Sequence, residues 1–250
     1  MKSKVHFFGY IYAGYAFLMF IVFMFISLPF ILISSAFGIK GGNFIYKICR
    51  LWGILWYFTI GIRHKDIYES PHDFSRQYIF VANHCSYMDI PATILTMQQP
   101  VRILGKYEMV KAPVFGLIYR SAVILVDRRD AERRAKSFRA LKAAVKHGIS
   151  IFIFPEGTFN ETTQPLKDFY DGAFRIAIET QTPIKPLLYI DTLKRMHYHS
   201  VFSMNPGNNY VVYLAEVPVE HYTIQQLPEL KEHVYSLMEE GLRRYLPYPR

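Results

Sequence analysis

Apolar and polar positions along the chain alternate with two different textures. Residues 7–39 are 33 consecutive positions without a formal charge, entered by Lys2 and Lys4 and left by Lys40. A bilayer-spanning helix needs about 20 apolar residues, so this run is longer than one simple span. Pro29, late in it, predicts a kink or a break. Gly41-Gly42-Asn43 reads as a breaker, and residues 44–62 are a second apolar stretch carrying Trp52, Trp56, Tyr57 and Phe58. Lys47 and Arg50 share one face of that stretch, which a lipid-buried span does not tolerate well. The pattern therefore predicts a helix lying in or dipping through the interface, its aromatic rings at headgroup depth. A secretory signal is the competing reading, with Ser34-Ser35-Ala36 as its small-residue site, but its apolar core would be only about 7–15 residues. Basic residues flank both segments, so a hairpin or re-entrant pair returning to the cytoplasmic face is expected.

From residue 66 the apolar runs become short and end in polar loops, separated by stretches of helical period. Residues 78–82 read as a strand covered on both faces, being aromatic and β-branched without polar interruption. A helix is expected over 90–97, strands over 102–104 and 122–126, and a basic-faced helix over 131–146 ended by Gly148. A strand over 149–154, a helix over 173–180, strands over 186–190 and 210–217, and a closing helix over 228–246 complete the series. Strands alternating with helices imply an α/β fold with a mixed, largely parallel sheet flanked by helices. The expected organisation is a membrane-embedded helical pair over residues 1–65 and an α/β domain over 66–250.

Charge changes the picture more than composition does. The formal net charge is +9, but residues 1–65 hold seven Lys and Arg and no acid, and residues 128–147 hold eight basic against two acidic residues. The remainder is net negative. Basicity confined to a greasy region and one helix points to an anionic membrane surface rather than to nucleic acid. Cys49 and Cys85 are too few for a disulfide framework and fit a reducing compartment.

The strand over 78–82 stops at Asn83-His84, and Asp89 follows five positions after the histidine. Asp89, before Ile90 and Pro91, reads as a helix N-cap. His84 and Asp89 thus share a strand-to-helix loop at the edge where open α/β sheets place ligands. Such a loop suits a general base and its carboxylate, or equally a capping Asp and an ordinary loop His. Phe154-Pro155-Glu156-Gly157-Thr158 follows another buried strand. Pro155 ends the ladder, Gly157 allows close backbone approach, and Glu156 and Thr158 bring polar groups. Lys106 and Arg128 follow two further strands, and a Lys point charge with a bidentate Arg suits phosphate; surface ion pairing is the alternative for each. No metal-ligand spacing is present.

In order, the motifs are Asn83-His84-x4-Asp89, Lys106-x-Glu108 with Pro113 and Gly116, Ile124-Leu125-Val126-Asp127-Arg128, Phe154-Pro155-Glu156-Gly157-Thr158, and Pro183-Ile184-x-Pro186. This series resembles the glycerolipid acyltransferases, most of all the 1-acyl-glycerol-3-phosphate acyltransferases, over roughly residues 78–190. The resemblance implies transfer of a fatty acyl group from an acyl-CoA or acyl-carrier-protein thioester to a lysolipid hydroxyl at a membrane. It implies His84 as base, Asp89 as its support, and Lys106, Arg128, Glu156, Gly157 and Thr158 as substrate-binding residues. The thioester is a co-substrate, and no cofactor or metal is implied. The enzyme would sit in the membrane, the cytoplasmic membrane if the source is bacterial, with its active site facing the cytoplasm. Cys85 and Ser86 adjoin the base, but the substrate's own hydroxyl is the nucleophile in such a scheme.

The departures bear on the acceptor. The family continues Phe-Pro-Glu-Gly-Thr with Arg-Ser, the Arg being associated with the acceptor's phosphate, whereas this chain has Phe159-Asn160. The family's later Phe-Lys-x-Gly loses its Lys in Tyr170-Asp171-Gly172, where an acid, Asp171, comes in. Lys106, Arg128, Lys167 or Arg175 could compensate, or the acceptor is another lysophospholipid or an amino-acid-based lysolipid. A membrane-anchored hydrolase or thioesterase, with water in place of the acceptor, and a non-catalytic lipid-binding protein are the readings from other classes.

Overall fold

The long uncharged run forms one continuous helix, α1 (Phe7–Ser35), and after a two-residue turn the chain returns as α2 (Gly38–Thr59). A computed structural model of the chain describes residues 7–126 and 131–246. The two helices run antiparallel. Trp56 Nε1 donates to the carbonyl of Ala16 at 2.8 Å, the Tyr15 hydroxyl donates to the carbonyl of Thr59 at 3.2 Å, and the Phe20 ring meets Trp52 and Trp56. Pro29 lies inside α1 without ending it. The expected break at Gly41-Gly42 is also absent: the turn comes earlier, at Ala36-Phe37, and Gly38 takes a positive φ of 54°. Gly41 is a packing glycine instead. A Cβ there would fall 1.9 Å from the carbonyl oxygen of Ser34, so only Gly lets the start of α2 touch the end of α1.

Phe7, Phe8, Phe17, Leu18, Ile26 and Phe30 leave α1 an exposed apolar face. Among the described residues it is the one helix long and apolar enough to cross a membrane, judged by length and composition. α2 leans on a short helix, α3 (Asp89–Thr96). The Tyr46 hydroxyl donates to the carbonyl of Ile94 at 3.0 Å and Arg50 Nε to that of Leu95 at 3.3 Å. The last carbonyls of a helix lack intrahelical partners and carry partial negative charge. Arg50 therefore caps α3.

By contact density the chain forms two units. The first comprises residues up to Ile67, Cys85–Met97 and Tyr189–Val211; the second comprises Tyr68–His84, Gln98–Leu188 and the residues from Val212 onward. The strands are β1 (Ile62–Tyr68), β2 (Ile79–Ala82), β3 (Val101–Lys106), β4 (Val123–Val126), β5 (Ser150–Ile153), β6 (Ile184–Tyr189) and β7 (Gly207–Tyr213). They form a seven-stranded sheet in the order β1-β7-β6-β2-β5-β3-β4. Residues 62–65, read from the sequence with the anchoring region, begin β1. β7 starts earlier than expected and stops at Tyr213, leaving Val217 only an isolated antiparallel bridge to Ile184.

In the second unit β2 pairs in parallel with β5 and β6, and β3 with β4 and β5. Phe80 lies opposite Phe152 and Lys185 in that register. Ile79, Phe80, Val81, Ile151, Phe152, Ile184 and Leu187 are wholly buried. Each large apolar side chain so buried contributes about 1.5–3 kcal/mol, which is why the run over 78–82 could dispense with polar alternation. The helices are α4 (Phe115–Ala122), α5 (Ala131–Lys146), α6 (Gly172–Thr180), the single-turn α7 (Thr192–Arg195) and α8 (Leu227–Tyr245). Leu230, Val234 and Met238 of α8 are buried as expected, Leu237 and Tyr245 are only half-buried, and Gly241 and Leu242 complete the inner face.

Candidate active site

β2 ends at Ala82, and the buried Asn83 and half-buried His84 follow at its C-terminal end. β2, β5 and β3 are parallel neighbours, so the loops after Ala82, Ile153 and Lys106 open at one edge of the sheet. His84, Glu156 and Lys106 are therefore gathered at the edge their strand-end positions predict. The backbone N–H of His84 donates to Glu156 Oε1 at 2.7 Å, and the His84 carbonyl accepts from the N–H of Asn160 at 2.7 Å. Its ring stacks on Phe154 with centroids 4.0 Å apart and meets the edge of Phe159 at 4.5 Å.

Glu156 is 1% exposed, and its second oxygen accepts the backbone N–H of Lys167 at 2.9 Å. One carboxylate thus ties the His84 loop to the segment around Lys167 through two charge-assisted bonds. Gly157 has φ 71°, and its N–H donates to the carbonyl of Phe154 at 3.0 Å. That backbone conformation excludes most L side chains. Thr158 is exposed, and its hydroxyl accepts from Lys167 Nζ at 2.7 Å. Lys106 is exposed at the end of β3. Arg128 lies outside the described residues.

The helix that follows β2 begins differently from expectation. The residue at the N-cap position is Met88, which makes no side-chain cap, and Asp89 is the first helical residue. Asp89 is wholly buried, and its Oδ2 reaches back to accept the backbone N–H groups of Cys85 at 2.7 Å and Ser86 at 2.9 Å. A carboxylate beside two orphan donors of the preceding turn satisfies both at once, so Asp89 fixes the peptides immediately after His84. The side chains that follow His84 also have partners. Ser86 Oγ donates to the carbonyl of Met196 at 2.6 Å, and the buried Cys85 Sγ lies 3.4 Å from Thr192 Oγ1.

Sequence reasoning missed the aromatic setting of His84 and the part of Asn160, which accepts from Thr162 N–H and hydroxyl and donates to the carbonyl of Gln164. Two aromatics bracketing Pro155-Glu156-Gly157-Thr158 were the available signal. Asp171, an apparent hazard to an anion, is paired with Lys231 at 2.7 Å, and Arg175 is paired with Glu179 at 2.9 Å. Among the described residues no group of three or more His, Cys, Asp or Glu side chains is placed to hold a metal ion.

A family model described as Acyltransferase matches residues 62–190, just over half of the chain. The chain belongs to the acyltransferase family. It is 33% identical over 169 residues to a 1-acyl-sn-glycerol-3-phosphate acyltransferase of Salmonella typhimurium, covering 66% of each chain. Over 201 residues it is 29% identical to a chloroplastic 1-acyl-sn-glycerol-3-phosphate acyltransferase of Brassica napus, covering 80% of this chain and 57% of the relative. The chain thus spans just under two thirds, or less, of the length of these curated relatives. Its fold matches that of PlsC, the 1-acyl-sn-glycerophosphate acyltransferase of Thermotoga maritima, with a TM-score of 0.74 at 21% identity over 94% of both chains. The matched family region of this acyltransferase contains His84, Asp89, Lys106 and Glu156 together.

Proposed function

We propose that this acyltransferase moves a fatty acyl group from an acyl-CoA or acyl-carrier-protein thioester to the free hydroxyl of a lysolipid. The proposed acceptor is 1-acyl-sn-glycerol-3-phosphate and the product phosphatidate. The observation that carries the reading is His84, held at a strand end by Glu156 through its backbone and by Phe154 and Phe159 through its ring. In the proposed step the imidazole takes the acceptor's hydroxyl proton as that oxygen attacks the thioester carbonyl carbon. Collapse of the tetrahedral intermediate breaks the C–S bond, and the departing sulfur takes up the proton. The thioester is a co-substrate, and no further cofactor enters the step. The role assigned to Asp89 is support of the base, consistent with its grip on the Cys85 and Ser86 peptides. Lys106, Arg128, Glu156, Gly157 and Thr158 are assigned to substrate binding, Glu156 through the His84 and Lys167 backbone it holds. The α1/α2 hairpin would hold the enzyme in the bilayer, with the active site facing the cytoplasm. The exposed apolar face of α1 supports the membrane attachment.

The test is purified full-length protein in vesicles, with lysophosphatidate and other lysolipids and both thioester donors, read by thiol release and product mass. Phosphatidate formation that is lost in His84→Ala supports the reading. Free fatty acid as the sole product would replace it with a hydrolase.

A further inference from the structure

Lys167 stands out among the cations near His84 because its ammonium is held by neutral oxygens. Its Nζ donates to Thr158 Oγ1 at 2.7 Å and to the carbonyl of Phe159 at 3.5 Å, while its backbone N–H donates to Glu156 Oε2 at 2.9 Å. Among the described residues no carboxylate lies within ion-pair distance of this ammonium, whereas Lys142, Arg175 and Lys231 are each committed to one. A cation anchored by a hydroxyl and a carbonyl keeps its full charge for a further partner. Its position relative to the base is fixed twice over. Glu156 ties both backbones together, and the Phe159 carbonyl that Lys167 touches belongs to the residue whose ring meets His84.

We propose that Lys167 binds the phosphate of the acceptor lysolipid. The proposal rests on His84 as the acceptor's base. In a 1-acyl-glycerol 3-phosphate the reacting hydroxyl and the phosphate ester are on adjacent carbons, so a group binding the phosphate must lie beside the base. The ammonium of Lys167, a half-buried residue whose backbone is tied through Glu156 to that of His84, meets that condition, and the exposed Thr158 hydroxyl beside it can donate a second hydrogen bond to a phosphate oxygen. The phosphates of a CoA donor offer the same chemistry, and separate titrations of the two substrates tell them apart.

Lys167→Met keeps the stem and removes the charge; Lys167→Arg keeps the charge. Each is titrated with lysophosphatidate, with monoacylglycerol as a phosphate-free acceptor, and with the thioester. Loss of one charge-assisted hydrogen bond corresponds to about ten- to a hundredfold. The expected result is a rise of that size in the KM for lysophosphatidate in Lys167→Met, exceeding the change in kcat, with largely restored binding in Lys167→Arg. Monoacylglycerol and donor KM should move by less than about threefold on the same scale. A rise in donor KM alone would assign the ammonium to the donor's phosphates and overturn the proposal, as would no change in either KM in a protein that melts normally. Should Lys167→Met fold poorly, Lys167→Gln with the same three titrations serves as the charge-removing variant. A wild type that forms no phosphatidate removes the reading beneath the proposal, a failure distinct from an active wild type indifferent to Lys167.

Discussion

His64 and His84 each have an aspartate close by in sequence, and the molecule surrounds them differently. His64 on β1 has Asp66 Oδ1 at 3.1 Å and Thr96 Oγ1 at 2.9 Å from its Nε2, and Asn209 Nδ2 lies 3.2 Å from its Nδ1. Both ring nitrogens are committed, and the side chains of His64 and Asp66 are only 11% and 13% exposed. His84 is half-buried, its backbone bonded to Glu156 and Asn160 and its ring packed against Phe154 and Phe159. Backbone bonds and aromatic contacts together restrain the His84 imidazole at the end of β2.

The comparison breaks most sharply under alanine. His84→Ala should lower turnover by about 10²–10⁴-fold, the usual worth of a positioned general base, while the melting curve stays near wild type. His64→Ala should do the reverse. It strips Asn209 and Thr96 of a buried partner, a loss of about 1–3 kcal/mol, read as a lower denaturation midpoint with activity per folded molecule retained. Equal turnover losses in the two variants would erase the distinction.

Phe159→Leu tests the ring restraint. An aromatic pair contributes about 0.5–1.5 kcal/mol beyond its buried area, so kcat should fall by no more than about tenfold. A loss approaching that of His84→Ala would mean that Phe159 does more than orient the ring.

The smallest effect expected concerns a third histidine, His72, before the N-terminal end of β2. Burial, with the nearby Lys185 ammonium, pushes its pKa below the ordinary 6.5, although the Gln99 side chain and the Asp73 and Glu216 carboxylates pull it back. The folded state then binds fewer protons than the unfolded chain below that value, so stability should fall as pH drops below about 6.5. Denaturant midpoints at pH 5.5 and 7.5 should differ less in His72→Phe than in wild type. An unchanged difference would mean that other groups carry the acid sensitivity.

Much of this architecture was legible in the residues themselves. Long uncharged runs, strands without polar interruption and 3.6-residue periods each reflect local burial, and burial is written directly into side-chain chemistry. The order of strands and loops likewise brought His84, Lys106 and Glu156 to one edge, because parallel neighbours place their C-terminal ends together. What tertiary structure alone decided were the partners. Gly41-Gly42 reads as a breaker until Ser34 lies against it, Asp89 reads as a cap until its carboxylate turns back to Cys85 and Ser86, and Asp171 reads as a hazard until Lys231 neutralises it. In each case the deciding neighbour is a backbone atom or charge whose location depends on the path of the chain, and a short polar side chain meets several such partners with similar local energy. Hydrophobic period identifies which face is buried; it carries no information on which carbonyl, amide or ammonium the opposite face will meet.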